Sequence, residues 1–362
     1  MADYFSGFRD HETAQKLGRM LSSYRGRPVR IMEVCGTHTM AIFRYGIRSL
    51  LPDGISLVSG PGCPVCVTPV SYIDAALRLA AGRDVIITTF GDLMRVPGSR
   101  SSLLREKASG ADIRVVYSPL DSLKVAQDNP LKKVVFLSVG FETTAPVSAL
   151  SVLKAFEGGI DNFFMLSANK TMPEALKFLA SDSNREIDGF IYPGHVSAVI
   201  GVSEYEKIAA DFGIPGVVTG FEPLDILRAV ISLVSLAAGG KAAVENQYSR
   251  FVAREGNPVA VSKMYEVFEP SCSAWRGIGN LPGSGLAIRE KYSAYDAWKR
   301  FGLAAHGAEE PLACRCGDVL RGRAVPYECG LFGGACTPEN PAGACMVSSE
   351  GTCAAYYRYG RQ

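Results

Sequence analysis

A chain of 362 residues, 47% hydrophobic and 20% charged, is long enough to bury the cores of two or three domains. Its formal net charge of +2 excludes a general nucleic-acid or anionic-membrane binder. The first residues lack the basic and apolar regions of a signal peptide, and the most apolar stretch, 229–238, is too short to span a bilayer. A cytoplasmic protein without a membrane segment is expected. In that compartment thiols stay reduced, and clustered cysteines bind metal or do redox work.

Residues 1–24 read as a helix, expected to pack on the C-terminal region. Short apolar runs then alternate with helical stretches. Strands are expected at 29–34, 55–58, 84–90 and 113–117, with helices at 39–51 and 70–80. The pattern restarts after Asn129-Pro130, with strands at 133–139, 162–167, 188–192 and 216–219 and a helix at 173–179. Beyond Gly239-Gly240 it fades into helix, irregular loops and a cysteine-rich tail. The expected fold class is α/β. Two doubly wound parallel-sheet lobes, 25–128 and 129–240, flank a cleft, and a mainly helical or irregular, cofactor-bearing region covers 241–362.

The polar and glycine-rich clusters all follow expected strands. Cys35-Gly36-Thr37-His38-Thr39 follows the first strand, Gly60-Pro61-Gly62-Cys63 the second and Gly91-Asp92 the third. Gly140-Phe141-Glu142-Thr143-Thr144-Ala145-Pro146 and Pro193-Gly194-His195-Val196-Ser197 hold the same position in the second lobe. Open parallel sheets bind ligands beyond the carboxyl ends of their strands, so these groups belong at one cleft. Cys35 stands where a strand turns into a helix, where backbone N–H groups and the helix dipole would lower its thiol pKa. His38 can act as base, ligand or supporting donor; a buried core cysteine beside a helix-capping segment is the bland counterpart. Cys63-Pro-Val-Cys66 has the spacing of a redox dithiol, and no second Cys-x-x-Cys completes a zinc knuckle. Glu142 and His195 are candidates for proton transfer, although singly such residues are more often structural.

Six of the ten cysteines lie in the last fifty residues. Cys329, Cys336, Cys345 and Cys353 can hold a [4Fe–4S] cluster or a zinc ion, and the glycines and prolines between them suit a loop wrapped around a bulky group. Cys314 and Cys316 are alternative ligands or packed thiols. Cys272 has no partner in sequence.

Together these stretches resemble the hydrogenase formation protein HypD family: the Cys35 and Cys63–Cys66 motifs, the Glu142 and His195 motifs, and the tail from Cys316-Gly-Asp-Val-Leu-Arg-Gly to Cys353-Ala-Ala-Tyr-Tyr. The match runs from about residue 30 to the end. The resemblance implies a [NiFe]-hydrogenase maturation factor. It would be a scaffold, with a small HypC-type chaperone, for an Fe(CN)₂CO unit that passes to the hydrogenase large-subunit precursor, with cyanide supplied through HypE. It implies Cys35 as thiolate ligand of the assembling iron and Cys63 and Cys66 as a redox dithiol. Cys329, Cys336, Cys345 and Cys353 would be ligands of a [4Fe–4S] cluster that feeds the dithiol electrons. His38, Glu142 and His195 would support ligand assembly or proton transfer. Two other classes remain open at this point: a free-standing iron–sulfur disulfide reductase, and a zinc-stabilised binding protein.

Overall fold

The computed structural model describes residues 6–304 and 313–360. Its first eight strands fall where the apolar runs place them: β1 (Val29–Glu33), β2 (Ile55–Ser59), β3 (Val85–Thr89), β4 (Ile113–Val115), β5 (Lys133–Ser138), β6 (Phe163–Ser167), β7 (Gly189–Pro193) and β8 (Gly216–Thr219). β2, for example, is buried at four of its five positions, and β3, β7 and β8 at every position. Such runs are what a parallel sheet covered by helices requires.

The strands form two parallel sheets, β2-β1-β7-β8-β9 and β4-β3-β5-β6, where β9 is Val244–Asn246. The expected boundary near residue 128 does not separate them. β3 and β4 pair with the strands that follow it, and β7 pairs with β1. The chain therefore begins in one sheet, crosses over through the helix Val70–Ala80 and returns through the helix Met172–Ser181. Parallel neighbours are joined only by long crossovers, so their choice of partner is a tertiary matter that local pattern does not encode. Renumbered within each sheet, both orders begin 2-1-3-4. Each therefore has a topological switch point, between β1 and β7 in one and between β3 and β5 in the other.

Two further expectations change. The helix His11–Ser22, capped by the Asp10 carboxylate accepting from the Thr13 N–H, packs mainly on the helix Pro223–Ala238 and on the turn Ile47–Leu50, not on the C-terminal region. It inserts Leu21 there, beside Leu17 and Ala14, in the apolar cluster behind β1 and β8. After residue 240 the chain is also more regular than expected. β9 extends the first sheet, and β10 (Phe268–Trp275) and β11 (Gly279–Ile288) form an antiparallel hairpin with a bulge between Ser271 and Ser273. Among the described residues no helix is long and apolar enough to cross a membrane.

Candidate functional site

The two switch points face each other. A cleft of about 580 Å³ is lined by Cys35 and Thr37 from the end of β1, His195 from the end of β7, Asp92 after β3 and Thr143 after β5, with Glu350 entering from the cysteine-rich tail. The expected gathering of post-strand motifs at one cleft is therefore observed. The chain achieves it by alternating between the two sheets, so that the carboxyl ends of both supply residues.

Cys35 is the N-cap of the helix Gly36–Arg44 and is 7% exposed. Backbone N–H groups of His38 and Thr37 do favour its thiolate, as the strand-to-helix position suggests, but burial dominates. With the nearby Glu350 carboxylate, it pushes the Cys35 thiol up to about 12. Two glycines let the surrounding segments close on this residue. A Cβ on Gly36 would sit 2.4 Å from the Glu350 backbone oxygen, and one on Gly62 would sit 2.2 Å from the Cys35 nitrogen. Glu350, which sequence reasoning passed over, accepts a hydrogen bond from the Thr37 hydroxyl at 2.6 Å. Its only sequence signal is an acidic residue before a glycine in the interval from Cys345 to Cys353.

The three candidate proton carriers separate. His195 reaches the cleft, stacked on Phe221 with ring centroids 4.0 Å apart, and burial lowers its pKa. His38 lies on the far side of Phe221, 4.6 Å from it, with Nε2 2.8 Å from the Gly220 carbonyl oxygen. Burial lowers the His38 pKa to about 4, so its ring is neutral and Nε2 donates to that carbonyl. It holds the Gly220-Phe221 turn under His195 and does not line the cleft. Glu142 is likewise behind the wall: one carboxylate oxygen accepts from the Met172 N–H at 2.9 Å and the other has no partner among the described residues.

Burial raises the Glu142 carboxyl to about 7. The folded protein therefore keeps a proton that the unfolded chain releases near the ordinary carboxyl value of 4.5. Glu142 thus contributes stability that is fully present below 4.5 and lost as pH rises through about 7. Glu142→Gln should flatten the fall in stability between about pH 5 and pH 8 by about 2 kcal/mol. Urea midpoints of both proteins across that range check this; parallel pH profiles would contradict it.

Cys63 and Cys66 lie beneath the cleft floor made by Gly62 and Pro64, 4% and 0% exposed. They occupy a hydrogen-bonded turn, with the Cys66 N–H donating to the Cys63 sulfur at 3.2 Å, and the helix begins only at Val70. The Cys63 thiol is 3.3 Å from the Ser348 hydroxyl. On the other side, the Cys66 thiol interacts with Cys345, and burial raises its pKa above the ordinary thiol range. Cys316 also interacts with Cys345, and together Cys316 and Cys66 hold the Cys345 thiol down at about 7. All six tail cysteines, 314, 316, 329, 336, 345 and 353, line a single pocket. The structure thus brings together the four expected ligands and both alternatives, and sets the dithiol against one of them. Cys272 stands apart on the hairpin, exposed.

The chain matches the family model described as "HypD: Hydrogenase formation hypA family" over residues 11–360. It is 47% identical to the hydrogenase maturation factor HypD of Rhodobacter capsulatus, covering 99% of this chain and 98% of that protein. It is 48% identical to the factor of the same name from Cupriavidus necator, over 99% of this chain and 97% of that protein. The Escherichia coli factor is 47% identical over 94% of this chain and 92% of its own length. Matched from its first described helix to its last, with the motif cysteines gathered around one cleft and one adjoining pocket, this chain belongs to the HypD family of hydrogenase maturation factors.

Proposed function

We propose that this protein is the scaffold on which, with a small HypC-type partner, an Fe(CN)₂CO unit is assembled before transfer to the hydrogenase large-subunit precursor. Cyanide arrives through HypE. The iron unit is the cargo, and Cys35 is its thiolate ligand. The observation that carries this reading is the run of contacts from the tail to the cleft: Cys345 on Cys66, Ser348 on Cys63, and Glu350 on Thr37 beside Cys35. A three-residue step in the tail separates Cys345 from Ser348, and two more residues reach Glu350, so one short segment spans both centres.

Cys329, Cys336, Cys345 and Cys353 are the proposed ligands of a [4Fe–4S] cluster. Among the described residues no three His, Cys, Asp or Glu side chains converge tightly enough for a single metal ion. Six sulfurs around one pocket suit a larger body, whose thiolates stand at separated corners, and soft thiolate is the donor such clusters take. When bound, the cluster would supply single electrons. Cys63 and Cys66 can close to a disulfide with release of two electrons and two protons, and reopen by taking them up. Cys35 offers a soft, water-shielded sulfur to iron carrying cyanide and CO. Iron binding displaces its proton, and His195 and Glu350 on the same cleft are placed to receive it. Phe221 and His38 keep the His195 ring in position.

A free-standing disulfide reductase needs a thiol that another protein can reach. Cys63 and Cys66, nearly without exposed surface, disfavour that alternative.

The test is the iron, acid-labile sulfide and zinc content of anaerobically purified protein, with an infrared spectrum of the same sample. Four cluster irons and four sulfides per chain, and up to one further iron where the cargo is bound, with cyanide and CO stretching bands, are expected. Cys66→Ser should retain the iron and sulfide but lose hydrogenase maturation. Zinc in place of iron, or normal maturation by the Cys66→Ser protein, would refute the redox part of the proposal. Single serine replacements of the six tail cysteines, read through iron content, identify the ligands among them.

A further inference from the structure

Beyond β6 the chain turns through Ala168, Asn169 and Lys170, and the β10–β11 hairpin lies across this turn. The Leu286 N–H donates to the Asn169 carbonyl at 3.0 Å and the Thr171 N–H to the Ser284 carbonyl at 2.8 Å. Hairpin and sheet edge enclose a cavity of about 220 Å³ that shares no lining residue with the cleft or the cysteine pocket. It lies at the carboxyl end of a parallel strand, where open sheets bind ligands.

Lys170 forms part of its wall and is 1% exposed. Its Nζ donates to the Ser273 hydroxyl at 2.8 Å and lies 5.6 Å from the centre of the Trp275 ring. Among the described residues no carboxylate is within ion-pair distance of it. An ammonium has three donors, and burying one without a countercharge is costly. Burial accordingly pulls the Lys170 pKa down to about 7. The other charged group on the wall, Asp296, is already engaged: it caps the helix Ala297–Arg300, accepting from the Trp298 N–H at 2.9 Å. Hydroxyls of Ser71 and Ser271 add donors, while that of Ser167 already donates to the Leu286 carbonyl at 3.0 Å, and the Tyr72 and Trp298 rings add apolar walls. A cation lacking its countercharge, hydroxyl donors and flat apolar sides in a space for a few heavy atoms form a receptor for one small organic anion.

We propose that this cavity binds a small carboxylate, with its oxygens on Lys170 and the neighbouring serine hydroxyls and its carbon chain against Tyr72 and Trp298. An organic acid and inorganic bicarbonate share the anionic end, and the apolar walls favour the organic one.

The test is calorimetric titration of the full-length protein, purified anaerobically, with acetate, acetamide and bicarbonate in turn. Acetate should saturate a single site, and acetamide, which has the same shape without the charge, should not bind. Lys170→Met should weaken acetate at least about tenfold, since a charge-assisted hydrogen bond is lost. Cys272, exposed on the rim of the cavity, supplies a second readout on the unaltered protein: acetate, but not acetamide, should slow its alkylation by iodoacetamide. The proposal is overturned if acetate neither saturates nor protects Cys272 up to about 50 mM. It is overturned equally if Lys170→Met binds acetate as the unaltered protein does, or if bicarbonate binds more tightly than acetate.

Discussion

Cys35→Ser is expected to bring hydrogenase maturation to background while leaving the protein folded, with four irons and four sulfides still bound by the tail. The replacement changes one atom of a side chain that caps nothing, at a position 7% exposed, so stability should move by no more than about 1 kcal/mol. The chemical change is much larger. A serine oxygen is a harder donor and far less acidic than the thiol it replaces, and it does not substitute for thiolate toward iron bearing soft, strong-field ligands. The thiol of Cys35 is itself held protonated by burial and by Glu350. In the proposed scaffold the sulfur would become a ligand when a metal cation displaces its proton. Loss of cyanide and CO bands from the purified protein, together with loss of mature hydrogenase, is the expected pair of results. Bands of unchanged intensity would show that the cargo is held elsewhere.

Gly62→Ala should have a large structural effect for a single methyl group added near the cleft. The new Cβ would stand 2.2 Å from the Cys35 nitrogen, 2.3 Å from the Val34 carbonyl carbon and 2.4 Å from the Cys35 Cα. All three are backbone atoms, so no side chain can rotate out of the way. Either the loop carrying Cys63 and Cys66 lifts off β1, or β1 shifts within its sheet. A destabilisation of about 3 kcal/mol is expected, with maturation lost even where the chain still folds. Gly7→Ala, where a Cβ meets nothing within 4 Å, is the matched control and should be neutral. Equal urea midpoints for the two variants would mean that the loop does not rest against Cys35. The two variants separate chemistry from architecture: Cys35→Ser removes the proposed ligand and keeps the frame, and Gly62→Ala keeps the proposed ligand and disturbs the frame.

Much of this molecule is legible in its residues. Eight apolar runs mark the first eight strands almost to the residue, because a strand buried on both faces must be apolar throughout. The loops after them carry the cysteines, glycines and acidic residues that the carboxyl ends of parallel strands present to ligands, so a cleft containing Cys35, His195 and Asp92 was foreseeable. The membership of each sheet was not. β1 through β8 have similar composition, and nothing local distinguishes a strand that pairs with its predecessor from one that crosses to the other sheet. The β10–β11 hairpin was hidden for another reason: Gly279, Gly283 and Gly285 within β11 weaken its strand pattern, while the pairing carries a bulge at Cys272 and the Trp275 indole donates to the Ser284 hydroxyl.

The same division applies to the site. Residue types and spacing alone determined that one cysteine stands at a strand end, a Cys-x-x-Cys pair follows the next strand and six cysteines lie in the tail. Tertiary structure decided how these parts are arranged. Cys66 meets Cys345 across 279 positions of sequence, Glu350 enters the cleft from the tail, and His38 and Glu142 support its walls from behind. The physical reason is range. Strand burial, turn chemistry and ligand type are properties of neighbouring residues, whereas the closeness of two sulfurs, or the shift of a thiol upward where its helix dipole would move it down, depends on what the folded chain packs around them.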